Sequence, residues 1–115
     1  MGVHDGPKYA QNTIKSHLVG IEGSKNVIEG NVIMGASVIG GACDTDVFPA
    51  IDCTNCTVIG NVVRDTCGVG LLDTSGSTGY SNNQFENNNG GNENPQVSGG
   101  IEMGINICGG DTTCP

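Results

Sequence analysis

The amino-acid sequence predicts an all-β fold, a solenoid of about four turns in which short strands stack on one another. Composition is the first reason, because β-branched Ile (10) and Val (11) far outnumber the helix formers Leu (3) and Ala (4). The second reason is the content of 20 Gly and 13 Asn among 115 residues, which suits sharp turns between strands. The third reason is an internal repeat of about 20 residues, which lies within the range of solenoid repeats.

The repeat is clearest when four asparagines are aligned as anchors, and these are Asn12, Asn31, Asn61 and Asn83. A large apolar or aromatic residue stands three positions before and two positions after every anchor. These eight residues are Tyr9, Ile28, Val58 and Tyr80, then Ile14, Ile33, Val63 and Phe85. Stacked at the strand spacing of about 4.8 Å, they form one apolar core, and the asparagines form a hydrogen-bonded ladder.

A second short strand is predicted after each anchor, and these strands span 18–21, 38–41, 69–72 and 99–103. Two polar segments interrupt the spacing and are predicted to protrude as loops, at 44–52 and 86–97. The chain is therefore divided into three parts: an N-terminal tail or truncation edge at 1–8, the stacked turns at 9–107 and a closing segment at 108–115.

Six cysteines in a short chain favour a disulfide framework and an oxidising compartment. The spacing favours a Cys108–Cys114 disulfide that closes the last loop, and Cys43 with Cys53 is the candidate for a second. A zinc site at Cys53 and Cys56 is the weaker alternative, because no second close pair of ligands accompanies this C-x2-C spacing. We expect a secreted, periplasmic or cell-surface protein.

The pattern I/V-x-G-N-x-I/V at 28–33 and 58–63 resembles the repeat of right-handed parallel β-helix proteins, the pectate-lyase-like superfamily. The last stretch, 104–115, is similar to the closing segment of many secreted bacterial members. The resemblance covers about residues 9–108 and implies a right-handed parallel β-helix, of which this chain contains the C-terminal turns. It does not imply one function, since the superfamily includes lyases, hydrolases, phage spikes and structural proteins.

Lys15, Met34, Arg64 and Glu86 each stand three positions after an anchor and are predicted to share one outward-facing column. Lys15, Arg64 and Glu86 are therefore candidate binding residues for a polysaccharide. Lyases of the superfamily neutralise a uronate carboxylate with Ca²⁺ or a basic side chain, which makes Arg64 and Lys15 the candidate catalytic residues. An ordinary solvated surface is the alternative interpretation of the same column.

The acidic residues suggest two further sites. Asp44, Asp46 and Asp52 could bind Ca²⁺ on the first loop, although their spacing matches no known calcium motif and no cofactor is otherwise indicated. Close carboxylates serve glycosidases of the superfamily as acid and base, and the candidates are Asp65, Asp73 and Glu86.

The net charge of −8, with four Lys and Arg residues, argues against nucleic-acid binding, and no apolar run is long enough to insert in a membrane. The sequence favours a non-catalytic extracellular module that binds polysaccharide or belongs to a larger carbohydrate-active or surface protein. The alternatives are a polysaccharide lyase acting on acidic glycans and a subunit that stacks end to end into fibres through its open strand edges.

Overall fold

A computed structural model describes residues 3–4, 8–10, 13–15, 20–36, 38–39, 42–43, 47–110 and 114. The described residues form 17 β-strands and no helix, so the predicted all-β class is confirmed. Fifteen of the strands belong to three parallel sheets of five strands each, named here sheets A, B and C.

The three sheets have the following strands, in the order in which they lie side by side. Sheet A contains β1 (Val3–His4), β4 (Ile21–Ser24), β9 (Ile51–Thr54), β12 (Leu71–Leu72) and β15 (Val97–Ser98). Sheet B contains β2 (Lys8–Ala10), β5 (Val27–Glu29), β10 (Thr57–Ile59), β13 (Gly79–Ser81) and β16 (Ile101–Glu102). Sheet C contains β3 (Thr13–Lys15), β6 (Val32–Met34), β11 (Val62–Arg64), β14 (Gln84–Glu86) and β17 (Ile107–Cys108).

Within the described residues, the chain visits sheets A, B and C in turn, and it does so five times. One visit to all three sheets is called a layer below, and layers 1 to 5 are numbered along the chain. Strands of successive layers pair in parallel, which makes the arrangement compatible with a parallel β-helix. Each sheet thus has one strand more than the four aligned repeats predicted.

Every sheet contributes one column of buried side chains to the core. The column of sheet A consists of Ile21, Ile51, Leu71 and Val97. The column of sheet B contains Ile28, Val58 and Tyr80, and that of sheet C contains Ile33, Val63, Phe85 and Cys108. The six of these residues that the asparagine alignment placed inward are all buried, as predicted, because alternate residues of a strand point to opposite faces.

Two of the predicted second strands lie elsewhere than expected. Val38 and Ile39 form β7 (Val38–Ile39), which pairs antiparallel with β8 (Ala42–Cys43) outside the three sheets. Their expected place in sheet A is taken by β9, in which Ile51 and Cys53 are buried and alternate with half-buried Asp52 and Thr54. The last predicted strand, 99–103, contains β16, which belongs to sheet B and not to sheet A. The last strand of sheet A is β15, which precedes β16 in the sequence.

The two predicted loops are shorter than expected. Ile51 and Asp52 belong to β9, and Glu86 and Val97 are end residues of β14 and β15, so the second loop spans 87–96. This loop is folded on itself, because the buried Gln96 amide donates to the carbonyl oxygens of Asn88, Gly91 and Asn94, each at 2.9 Å. In the predicted N-terminal tail, Val3 and His4 form β1 and pair with β4.

Candidate functional site

The corner between sheets B and C is built from a two-residue turn that recurs in successive layers. Its first residue has a left-handed backbone, with φ of 66° at Gly30, 67° at Gly60 and 56° at Asn82. Gly and Asn are the residues that tolerate this conformation, which explains why they recur at this position. The second residue is the buried anchor asparagine, at most 3% exposed in Asn31, Asn61 and Asn83.

The anchor asparagines form a continuous ladder of hydrogen bonds. The side-chain Nδ2 of Asn31 donates to Oδ1 of Asn61 at 2.9 Å, and Nδ2 of Asn61 donates to Oδ1 of Asn83 at 3.0 Å. Each Oδ1 also accepts from the backbone N–H of the asparagine in the preceding layer. The first anchor, Asn12, lies outside the described residues.

The ladder continues to a fifth asparagine, Asn106, which the sequence alignment did not include. Asn83 donates from Nδ2 to Oδ1 of Asn106 at 3.0 Å, and Asn106 in turn donates to Oε2 of Glu102 at 3.0 Å. The signal was present in the sequence, since Asn106-Ile107-Cys108 has the spacing of anchor and inward apolar residue. The ladder therefore ends on a carboxylate in the last layer.

A groove of about 370 Å³ runs along the outside of this corner. Its lining residues are Gly60, Asn61, Val62, Asn82, Asn83, Gln84, Ile105 and Ile107. The volume lies at the lower end of the range of small-ligand sites, roughly 300–1,000 Å³. We name this surface the corner groove. It combines aliphatic side chains with the amides of Asn82 and Gln84, which are not fully buried.

The predicted outward column of sheet C lies beside the corner groove. Lys15 pairs in register with Met34, Met34 with Arg64 and Arg64 with Glu86, so the predicted alignment of the four residues is confirmed. Lys15 and Arg64 are therefore two strands apart. The column and the groove are joined at Gln84, whose Nε2 lies 3.4 Å from Oε2 of Glu86.

Arg64 is the exposed cation of this surface for which side-chain geometry is described. Its Nε lies 3.5 Å from Oδ2 of Asp65, and both side chains are about half exposed. Such an exposed pair contributes little to stability, so the guanidinium can turn to another partner. Two carboxylates nevertheless accompany it, Asp65 next to it in sequence and Glu86 on the neighbouring strand.

The candidate acid and base residues occupy different environments. Asp73 is buried, and its carboxylate accepts from the backbone N–H groups of Ser75 (2.9 Å) and Thr78 (3.0 Å). Burial raises the pKa of Asp73, but the hydrogen bonds from Ser75 and Thr78 outweigh it and lower the pKa below its ordinary value. Asp73 is thereby held ionised as the acceptor of its loop, whereas Asp65 and Glu86 lie on the outside of sheet C.

The predicted calcium residues are only partly described. Asp44 and Asp46 lie outside the described residues, and Asp52 lies in β9, in register with Glu22 of β4. Within the described part of the chain, His, Cys, Asp and Glu residues form no group of three or more that could hold a metal ion. Burial, followed by the negative charge of Glu22, raises the pKa of Asp52.

Asp52→Asn should stabilise the protein modestly at neutral pH, by less than about 1 kcal/mol given the partial exposure of this pair. The raised pKa means that the folded state disfavours the ionised form, so stability falls as pH rises from the ordinary carboxyl pKa through the raised one. Urea unfolding of wild type and variant at pH 3 and pH 7 measures this. The difference in the free energy of unfolding between variant and wild type should be present at pH 7 and vanish at pH 3. A variant that is less stable than wild type at pH 7 would contradict the prediction.

The six cysteines form three disulfides, which pair Cys43 with Cys67, Cys53 with Cys56 and Cys108 with Cys114. The Cys108–Cys114 bridge is the one that the spacing favours. The pairing of Cys43 with Cys53 is wrong, because Cys53 points into the core from β9 and pairs with Cys56 at the corner that follows this strand. Cys43 is exposed in β8 and pairs with Cys67. Disulfide sulfurs are not thiolates, so the zinc interpretation of Cys53 and Cys56 is not supported.

No protein-family model matches this chain, and neither a curated protein nor a solved structure shows significant similarity to it. Among the described residues, no helix is long and apolar enough to cross a membrane. The function must therefore be argued from the geometry of the corner groove and of the outward column beside it.

Proposed function

We propose that this chain is a right-handed parallel β-helix module that binds polysaccharide outside the cell without breaking it down. The observation that carries the proposal is the corner groove, a surface with aliphatic and amide side chains that continues into the outward column of sheet C. The β-helix itself is supported by the regular visits of the chain to three parallel sheets and by the resemblance of its asparagine repeat to that superfamily.

The disulfides support an extracellular setting. All three pairs are formed, and such bridges persist in oxidising compartments but are rare in reducing ones. They favour a secreted, periplasmic or cell-surface location, and polysaccharides are accessible in each of these settings.

The groove has the mixed character that a sugar ring requires. A sugar has hydroxyl groups at its edge and C–H groups on its faces. Ligand-binding sites match such groups with a few polar side chains in an apolar lining. The amides of Asn82 and Gln84 both donate and accept hydrogen bonds. Val62, Ile105 and Ile107 supply the apolar surface, with Ile105 72% and Ile107 42% exposed.

The charges favour neutral polysaccharides over strongly acidic ones. Arg64 is accompanied by Asp65 and Glu86, and the chain as a whole carries a net charge of −8. This negative charge would repel an acidic polysaccharide, whereas it would not affect the binding of a neutral polysaccharide.

Affinity electrophoresis in gels containing neutral or acidic polysaccharides tests the proposal. We expect retardation by at least one neutral polysaccharide, with roughly tenfold weaker binding in Gln84→Ala because an amide of the groove is lost. Ser98→Ala, on the exposed end of β15 in sheet A, is the matched control and should bind like wild type. Absence of retardation by every polysaccharide, or equal loss in both variants, would count against the groove.

The alternative is a lyase acting on acidic glycans, and the register of Lys15 and Arg64 on one column is the observation in its favour. A lyase leaves an unsaturated uronate that absorbs ultraviolet light. Appearance of that absorbance with an acidic substrate, abolished in Arg64→Ala, would replace the non-catalytic proposal.

A further inference from the structure

A second cavity lies at the opposite end of the sheet C strands from the corner groove. Its volume is about 390 Å³, and its lining includes Val38 and Cys43 of the β7–β8 hairpin, Asp65 and Cys67 after β11, and Asn87 after β14. We name this cavity the hairpin pocket. Gln84 of the corner groove and Asn87 of the hairpin pocket are three positions apart in the sequence, which corresponds to roughly 10 Å of extended chain. A short oligosaccharide that lies across the outer face of sheet C can therefore reach both sites.

The polar residues of the hairpin pocket stand at a second left-handed corner. The residue that follows β6, β11, β14 and β17 has a positive φ, which is 70° at Gly35, 56° at Asp65, 53° at Asn87 and 63° at Gly109. Glycine, asparagine and aspartate are the residues that tolerate this conformation best. The backbone therefore explains why a glycine or a short polar residue stands at this corner, but it does not explain the negative charge of Asp65.

Asp65 and Asn87 form a pair of hydrogen-bond acceptors in the hairpin pocket. Nδ2 of Asn87 donates to Oδ1 of Asp65 at 3.0 Å, and Oδ2 of Asp65 lies 3.5 Å from Nε of Arg64. A carboxylate has about four acceptor positions, so Asp65 can still accept from a ligand. Oδ1 of Asn87 accepts no hydrogen bond from the described residues and is a further acceptor. Among the lining residues that the structure describes, Asp65 is the one with a charged side chain.

The surface around the hairpin pocket is also negatively charged. Between residues 47 and 110 the chain has six carboxylate side chains and one cationic side chain, Arg64. One of the carboxylates, Glu86, precedes Asn87 and is in register with Arg64. A surface with this excess of one sign attracts ligands of the opposite sign. A polysaccharide that carries positive charges is therefore attracted to this part of the molecule.

We propose that the hairpin pocket binds an amino sugar, so that polysaccharides with free amino groups are the preferred class of ligand. This inference rests on the polysaccharide binding proposed above. A sugar ammonium group has three N–H donors and a positive charge, which match the carboxylate of Asp65 and the amide oxygen of Asn87. The C–H groups of the sugar ring contact Val38 and the Cys43–Cys67 disulfide, and the rest of the oligosaccharide lies across sheet C to the corner groove.

Isothermal titration calorimetry with glucosamine oligosaccharides and with their N-acetylated counterparts of equal length tests the proposal. Acetylation removes the positive charge and keeps the rest of the ligand, and the pH is chosen so that the free amine is protonated. We expect wild type to bind the free amine about tenfold more tightly, because a charge-assisted hydrogen bond is gained. Asp65→Asn keeps the left-handed turn and an oxygen for Asn87, so it should lose this preference and still bind the N-acetylated ligand.

Glu29→Gln is the matched control, because it removes one exposed carboxylate from the end of β5 in sheet B. It should keep the full preference, which separates the position of the charge from the net charge. Equal loss of preference in both variants, or equal affinity of wild type for the two ligands, would overturn the role of the hairpin pocket and leave polysaccharide binding by the corner groove intact. If wild type binds neither ligand, the amino-sugar proposal fails, and retardation by other neutral polysaccharides still decides the proposed function.

Replacement of Arg64 gives a second test, with an effect of the opposite sign. Nε of Arg64 lies 3.5 Å from Oδ2 of Asp65, so the guanidinium competes with the ligand amine for this carboxylate and repels the amine. Arg64→Gln should therefore tighten binding of the free-amine ligand by roughly twofold to fivefold, in line with the strength of an exposed ion pair. Unchanged or weaker binding of this ligand would show that the amine does not lie at Asp65.

Discussion

Replacing Asn61 by Ala should lower the free energy of unfolding by about 3–5 kcal/mol. Asn61 is 1% exposed, and its Oδ1 accepts from both the backbone N–H and Nδ2 of Asn31, each at 2.9 Å. Its Nδ2 donates to Oδ1 of Asn83 and to the carbonyl oxygen of Ile28. Alanine removes these four hydrogen bonds from a buried corner, and a buried group that loses its partner costs about 1–3 kcal/mol before the structure relaxes.

Chemical denaturation of wild type and variant measures this change, and Asn82→Gly is the matched control at the same corner. Asn82 is exposed and has a φ of 56°, a backbone conformation that glycine adopts without strain. Its replacement should change stability by no more than about 0.5 kcal/mol. A loss below about 1 kcal/mol in Asn61→Ala would mean that the ladder is not a main source of stability.

The asparagine ladder could be predicted from the sequence because its two-residue turn accepts few residue types. One residue must adopt positive φ and the next must present an amide into the corner, so Gly or Asn followed by Asn recurs, as in Gly30-Asn31 and Gly60-Asn61. The flanking inward residues follow from the alternation of a strand. Together these requirements allow the register of the strands in sheets B and C to be predicted from the spacing of the asparagines in the sequence.

The fifth layer escaped the alignment because its inward position in sheet B is not apolar. Glu102 stands where Ile28, Val58 and Tyr80 stand in earlier layers, and it lies four positions before its asparagine, Asn106, instead of three. Sheet A was harder to predict for another reason. Its strands are followed or preceded by excursions of different length, so β9 could not be placed by counting from an asparagine.

The candidate site was predictable only in part. The outward column with Arg64 and Glu86 follows from the repeat, because residues at equal distance from the anchors share a face. The corner groove does not, since Ile105 lies between strands and its position depends on the path of the chain before β17. Disulfide pairing likewise depends on which loops leave the sheets on the same side, and spacing alone favoured the nearer Cys53 over Cys67 for Cys43.

Removing the Cys43–Cys67 disulfide, by replacing both cysteines with Ser, should lower the free energy of unfolding by about 3.5 kcal/mol. The bridge spans 24 residues, and closing a loop of that length restricts the unfolded chain strongly. Cys43 is exposed and Cys67 is half-buried, so the loss of packing is small and loop closure dominates. The same reasoning gives about 2 kcal/mol for Cys108 and Cys114, which are 6 residues apart.

The comparison of the two bridges distinguishes loop closure from local effects. Backbone contacts also hold the loop in place in the folded state, since Cys67 N–H donates to the carbonyl oxygen of Ala36 at 3.1 Å. The folded state should therefore survive loss of the bridge, with the destabilisation arising in the unfolded state. Urea unfolding of both double-serine variants should rank the Cys43–Cys67 bridge as the more stabilising. The reverse order would show that strain or packing near the bridges, not chain entropy, sets their contribution.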